Sequence, residues 1–320
     1  MAGIGFELRK LYRQQGLANN IKAYAYSTTT TIGPMLLCLV LVFVQQQLME
    51  RNHVGYLQKE LFIATLTYSF VFSIIITSGF SMIVTRYIAD NIYDKKYNTL
   101  MGAYYGSLTL VVPIAAVIAF IFLLFVDASL SYKICAYIFF IELVVIWMQN
   151  VFMSALKDYR RIFISFTVAI VISIVASLLL YHFTELVPVV VALLGMNIGF
   201  ASILISASFH FEHVFPRGPK RHYFAFLKVL PRYPSIVLSG VFVYTSVYVH
   251  NIIYWLFSPQ KSEIAGQFYL MPFYDVAVFF AYLTVLPSLN FFVVIIETDF
   301  YEQFVNYYDN VIKGGTFESV

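Results

Sequence analysis

From residue 23 onward the chain is a succession of apolar runs separated by charged or polar breaks. Eight runs, near residues 23–44, 61–84, 100–126, 134–156, 162–181, 188–211, 234–257 and 271–296, reach the roughly 20 residues that an α-helix needs to cross a hydrocarbon layer about 30 Å thick. The runs are continuous rather than alternating. A helix also satisfies its backbone hydrogen bonds internally, which lipid cannot do for it, so helices rather than barrel strands are predicted. The pattern predicts an all-α integral membrane protein with eight transmembrane helices.

Composition strengthens this. The 320 residues are 60% hydrophobic and only 12% charged, with a mean hydropathy of +0.78, whereas a soluble domain carries about 25% charged residues. A water-soluble fold is excluded on these figures. The net charge of +3 is small and no basic run suggests nucleic acid. Cys38 and Cys135 both fall inside apolar spans, where a thiol behaves as a small buried hydrophobe rather than a disulfide partner. The first span is too long for the apolar core of a removable signal peptide. It is followed by Gln45-Gln46-Gln47, where small cleavage-site residues would belong.

The positions of the basic residues predict orientation. Sixteen of the 20 Lys and Arg lie in the amino-terminal segment, the second, fourth and sixth connections and the tail. Only Arg51, Lys59, Lys133 and Lys261 lie opposite. The basic side is therefore expected in the cytoplasm, with both termini there. Residues 1–22 form a cytoplasmic segment in which Ile4, Leu8, Leu11 and Tyr12 recur at helical spacing. This fits either a short interfacial helix or an extension of the first span. Residues 23–211 hold six spans and 212–233 form the longest cytoplasmic loop, with Pro216, Pro219 and Pro231. Residues 234–296 hold two more spans, and 297–320 a cytoplasmic tail.

The opening MAGIGFELRK, the segment Arg86-Tyr87-Ile88-Ala89-Asp90 and the turn Lys157-Asp158-Tyr159-Arg160 resemble PelG, the membrane component of Pel exopolysaccharide export. The resemblance runs the length of the chain, and the opening decapeptide is its most specific part. PelG proteins are similar to the multidrug, oligosaccharidyl-lipid and polysaccharide flippases, which have twelve helices in two six-helix lobes. On that template this chain corresponds to one lobe plus the first two helices of a second. Its final residues, from Gly314, fall where a loop would continue. The resemblance implies export of a cationic, N-acetylgalactosamine-rich polysaccharide across the cytoplasmic membrane. It also implies partners: a PelF-type glycosyltransferase, a PelD-type cyclic-di-GMP receptor and a PelE-type membrane protein, besides membrane lipids. No cofactor is implied.

Ionisable and polar groups inside spans are the candidate chemistry, because an ionised side chain at the bilayer centre costs on the order of 3 kcal/mol. Glu142, His250 and Asp275 lie roughly 12, 10 and 6 Å from the outer ends of their helices, at about 1.5 Å per residue. His250 and Asp275 sit on consecutive antiparallel spans and could meet as a protonation switch. Asp275 also fits a plain interfacial residue, and His250 a simple hydrogen-bonding one. Gln149 lies seven residues beyond Glu142, on the same helix face. Glu142, Gln149, Asn150, Asn197, His250 and Asp275 are accordingly the candidate substrate path. Gly33 with Pro34, Pro113 and Pro287 are candidate helix-bending positions. Arg86, Lys157, Arg160, Arg161, Arg217, Lys220 and Arg221 are candidates for partner docking. Gly102 with Gly106, and Gly195 with Gly199, permit close helix packing. Tyr132 and Trp255, near outer ends, are expected as interfacial anchors, while Tyr68 and Tyr104, within spans, are better candidates for lining a passage, although several such tyrosines must simply be core.

No phosphate-cradling glycine loop and no metal-binding spacing is present, which argues against ATP-driven transport and against a metalloenzyme. Two readings remain. One is a polysaccharide exporter subunit, and the other is a non-conducting scaffold that docks the glycosyltransferase through its basic loops. A membrane acyl- or glycosyltransferase fits poorly, because His53, His182, His210, His213 and His222 are isolated.

Overall fold

The computed structural model describes residues 28–29, 32–156, 158–216, 223–296 and 300–314. Among them are ten α-helices. The long ones are α1 Gly33–Arg51, α2 Tyr56–Tyr93, α3 Leu100–Leu124, α4 Leu130–Leu156, α5 Tyr159–Phe183 and α6 Pro188–Val214. After the short α7 Val229–Arg232 come α8 Pro234–Phe257, α9 Pro272–Ile295 and α10 Tyr301–Ile312. The only sheet among the described residues is an antiparallel hairpin, β1 Ser262–Ala265 and β2 Phe268–Leu270. Eight helices, α1 to α6, α8 and α9, are long and apolar enough to cross a membrane, as the hydropathy pattern predicts.

The boundaries differ most at α2. Its apolar run suggests a span over 61–84, yet the helix continues for 38 residues, about 57 Å at 1.5 Å per residue. That exceeds the bilayer with its headgroups. The surplus carries Lys59 and Glu60 at one end and Arg86 and Asp90 at the other. Each charged residue can therefore sit beyond the hydrocarbon without interrupting the helix.

The chain divides into two compact units. The larger comprises residues 37–156 and 164–275. At its centre, α2 packs against α3, α4 and α8, and α4 packs against α3 and α6. Apolar side chains lie both inside the unit and on its outer surface. Phe43, Phe120, Phe209 and Phe257 are exposed, while Gln45, Ser73, Ser107, Gln149, Ser173 and Ser177 are buried. Without water, association relies on close packing and interhelical hydrogen bonds, so the polar groups turn inward to one another. Gln45 of α1 donates to Ser177 Oγ of α5 at 2.7 Å, and Trp147 Nε1 of α4 donates to Ser73 Oγ of α2 at 2.9 Å. Tyr132 also reaches Thr65. Tyr132 is thus 1% exposed, tying two helices together rather than anchoring at an interface as expected.

Glycines set the closest approaches. A methyl group at Gly195 would lie 1.9 Å from Ser177 Oγ, and one at Gly199 2.4 Å from the Ala169 carbonyl oxygen. The pair thus seats α6 on α5. Gly106 instead receives the connection after α6, because a Cβ there would meet the Tyr223 carbonyl oxygen at 1.8 Å. Its backbone contact is with a loop rather than a helix. Gly79 and Gly240 form a pairing the sequence did not reveal, with α2 and α8 each contributing one. A Cβ on Gly240 would lie 2.6 Å from Met82 Cγ, and one on Gly79 3.1 Å from Val237 Cγ1.

The smaller unit comprises residues 1–36, 157–163 and 276–320. Within it, Asn290 Nδ2 of α9 donates to Thr28 Oγ1 at 2.7 Å. A Cβ on Gly33 would come within 2.7 Å of the Phe163 ring.

Because the contacts at Gly199 are with backbone, α5 and α6 must separate to admit a larger side chain. Gly199→Leu is expected to cost about 1–3 kcal/mol, read as a lower melting temperature of the detergent-solubilised protein. An unchanged melting temperature would contradict the seam.

Candidate functional site

Three candidates lie on one seam between α4 and α6. Cys135, Glu142 and Gln149 follow one another at seven-residue intervals, two helical turns each, and so share a face of α4. Towards one end Asn197 Nδ2 donates to the Cys135 carbonyl at 3.0 Å. Towards the other, Gln149 Nε2 lies 3.0 Å from Tyr104 OH, 3.1 Å from the Leu204 carbonyl and 3.1 Å from Ser208 Oγ, gathering α3, α4 and α6. Glu142 lies between these ties and is 7% exposed. Asn150, the next residue after Gln149, is half-buried, and its carbonyl accepts a hydrogen bond from Ser154 Oγ at 2.7 Å.

The side-chain amide donors along this seam are used, but three side-chain oxygens are not. Glu142 Oε2, Gln149 Oε1 and Asn197 Oδ1 are buried without a hydrogen-bond partner among the described residues. A buried acceptor left unsatisfied costs about 1–3 kcal/mol. Three on one seam create a demand for protons, ammonium groups or hydroxyls.

The segments carrying His250 and Asp275 meet through hydrogen bonds to neighbouring residues. Asp275 Oδ1 accepts from Asn251 Nδ2 and Trp255 Nε1, each at 3.0 Å, and Oδ2 accepts from Trp255 Nε1 at 3.0 Å and the Met271 backbone N–H at 2.9 Å. The carboxylate therefore pins the end of α8, the end of the hairpin and the first turn of α9. His250 Nδ1 is 3.1 Å from Tyr274 OH. Trp255 is 2% exposed and, like Tyr132, sits inside the protein instead of at its interface.

Next to this carboxylate the hairpin is clamped to α2. Tyr68 OH donates to the Tyr269 carbonyl at 2.8 Å and accepts from the Tyr269 N–H at 3.1 Å. Its ring stacks on Trp255, with centroids 4.8 Å apart, and meets Phe268 edge-on at 5.0 Å. Gly266, at φ +63°, turns the hairpin where a Cβ would lie 2.4 Å from the Phe125 carbonyl oxygen at the end of α3. Beneath it is an apolar cavity of about 170 Å³ lined by Tyr68, Phe72, Phe122, Phe140 and Phe268 among others. Of the residues expected to line a passage, Tyr68 borders it, and Glu142, Gln149, Asn150, Asn197, His250 and Asp275 do not.

The remaining candidates are more dispersed. Arg86 pairs with Asp90 at 3.1 Å and lies over the Tyr233 ring, 5.3 Å from its centroid. Arg161 pairs with Asp158 at 3.1 Å, and Arg160 and Arg161 are exposed. Lys157, Arg217, Lys220 and Arg221, like residues 1–22, lie outside the described residues. Gly33 and Pro34 stand at the head of α1, directly after a helical hydrogen bond from Ile32 N–H to the Thr28 carbonyl at 3.0 Å. Pro113 and Pro287 are inside α3 and α9.

Eight apolar spans, an inward-facing polar seam and a lipid-exposed apolar exterior define a polytopic α-helical membrane protein. Over residues 1–320, its whole length, the chain matches the family model described as "PelG: Putative exopolysaccharide Exporter (EPS-E)". It belongs to the PelG family, an exporter family rather than an enzyme family. No curated protein matches it. No solved structure matches it either.

Removing the Tyr68 hydroxyl deletes two hydrogen bonds to the hairpin but keeps the ring stack. Tyr68→Phe is expected to raise amide hydrogen exchange across residues 262–270 by roughly 30-fold, at about 1 kcal/mol for each of the two bonds, with α2 itself unaffected. Unchanged exchange in the hairpin would show that the hydroxyl does not hold it.

Proposed function

We propose that this protein moves a cationic, N-acetylgalactosamine-rich polysaccharide of the Pel type across the cytoplasmic membrane, with its basic ends facing the cytoplasm. The observation that carries this reading is the set of donor-less acceptors on the α4–α6 seam, centred on Glu142. A partly deacetylated polymer brings what those oxygens lack, ammonium groups and many hydroxyls. A carboxylate within a low-dielectric path attracts a passing ammonium far more strongly than one in water does. The seam is closed around Glu142 in this state, so the reading requires α4 and α6 to part during transport, with Gln149 and Asn197 meeting the sugar hydroxyls.

On this reading the basic end is the synthase side. The exposed Arg160 and Arg161, with Arg86, Lys157, Arg217, Lys220 and Arg221, receive a PelF-type glycosyltransferase, while PelD- and PelE-type membrane proteins complete the assembly. The polymer is then handed over as it is made, and its synthesis or an ion gradient supplies the drive. The exposure of Arg160 and Arg161 equally supports a scaffold that holds the glycosyltransferase and conducts nothing.

Export by the full-length family protein separates the two. Glu142→Gln keeps the size of the side chain but removes its charge. It is expected to reduce secreted polymer at least 10-fold while the protein accumulates normally in the membrane. Parental export from Glu142→Gln, together with loss of polymer synthesis in an Arg160→Glu, Arg161→Glu variant, would establish the scaffold instead.

A further inference from the structure

The tail carries a helix that neither the spans nor the seam explains. In α10, Phe304, Val305, Tyr307, Tyr308, Val311 and Ile312 fall within an arc of about 160° on a 3.6-residue wheel, and Phe300 just before the helix extends it. Gln303, Asn306, Asp309, Asn310 and Lys313 occupy the remainder. Phe300, Phe304 and Tyr308 form a ladder, with successive ring centroids 5.9 and 4.6 Å apart. The apolar arc is exposed along its whole length, from Phe304 at 46% to Ile312 at 79%. Such a stripe is unfavourable in water and calls for a covering surface.

What covers it follows from its position. The last turns of α9 expose Phe291, Phe292 and Ile295, side chains that face lipid in a membrane-crossing helix. The four residue steps from Ile296 to Phe300 span at most about 14 Å before Phe300 resumes the apolar stripe. The helix therefore starts at the membrane surface and has a face that only an apolar medium suits. Two tyrosines supply amphipathic rings of the kind that settle at that boundary. We propose that α10 lies in the plane of the membrane surface, its Phe304–Tyr308–Val311 face buried among lipid tails and its Gln303–Asn306–Asn310 face in water. Its charged residues, Glu302, Asp309 and Lys313, sum to −1, and Lys313 lies 3.7 Å from Asp309, so no net positive charge draws it to anionic lipid. Its hold on the bilayer is thus hydrophobic and does not depend on anionic lipid. An anchored α10 fixes the depth of the end of α9 and the direction in which the chain leaves it.

Nitroxide labels on single cysteines introduced as Phe304→Cys, Val311→Cys, Gln303→Cys and Asn306→Cys test this. The full chain, with Cys38 and Cys135 replaced by alanine, would be placed in nanodiscs of zwitterionic lipid and its collision rates with oxygen and with a water-soluble nickel chelate measured. Positions 304 and 311 are expected to favour oxygen at least fivefold over positions 303 and 306, which collide with nickel, and adding anionic lipid leaves the pattern unchanged. Nickel access at all four positions would mean a helix free in water. Shielding of 304 and 311 from both reagents would mean that protein, a second copy included, covers the face. Either result overturns the proposal, and neither bears on polysaccharide export.

Discussion

A lipid tail neither donates nor accepts a hydrogen bond, and the arrangement of this protein follows from how its polar side chains cope with that. Most find each other. Gln45 meets Ser177, Trp147 meets Ser73, and Gln149 gathers a tyrosine, a serine and a backbone carbonyl from two other helices. These ties decide which face of each helix turns inward, and glycines such as Gly195 and Gly199 then let the backbones approach closely enough to make them. Where the pairing fails, along Glu142, Gln149 and Asn197, the unsatisfied atoms are all acceptors. Gln45 Oε1 and Gln58 Oε1 are left without a partner elsewhere among the described residues, as is the Ser173 hydroxyl. What sets the seam apart is that three such oxygens, one of them a carboxylate's, gather along a single helix contact.

A second consequence concerns α2 and α8. They run against each other from the Arg86–Tyr233 contact, past the reciprocal glycines Gly79 and Gly240, to the Tyr68–Trp255 stack. The far end is closed by Asp275, which joins α8, the hairpin and α9 through one carboxylate. A charged group is well suited to that role near a membrane boundary, because its hydrogen bonds are strong while its desolvation is incomplete. Asn251 and Trp255 take the Asp275 carboxylate, while His250 Nδ1 lies 3.1 Å from Tyr274 OH.

Much of the architecture was legible because hydropathy and helix length are local properties. The eight spans, the shared face of Glu142 and Gln149, and the close packing of Gly195 and Gly199 all follow from periodicity within one helix. Features that depend on two distant segments were not legible. Gly79 and Gly240 each look like an isolated glycine, and only the meeting of their helices makes them a pair. The hairpin 262–270 is too short to show strand alternation, and its docking partner Tyr68 lies 201 residues away. Tyr132 and Trp255 have the span-end positions of interfacial anchors, and only tertiary contacts reveal that they point inward. The amphipathic pattern of α10 was present in the sequence, but its polar residues made the segment resemble loop.

The central claim is that the seam around Glu142 belongs to a path for polymer. Its most direct test is vectorial transport: the PelG-family complex containing this chain, reconstituted in vesicles with the glycosyltransferase outside and supplied with nucleotide sugar. Polymer should accumulate in the vesicle lumen, protected from an added glycoside hydrolase until detergent is introduced. Sustained synthesis with all of the polymer outside and digestible would contradict a transport path and leave only a scaffold.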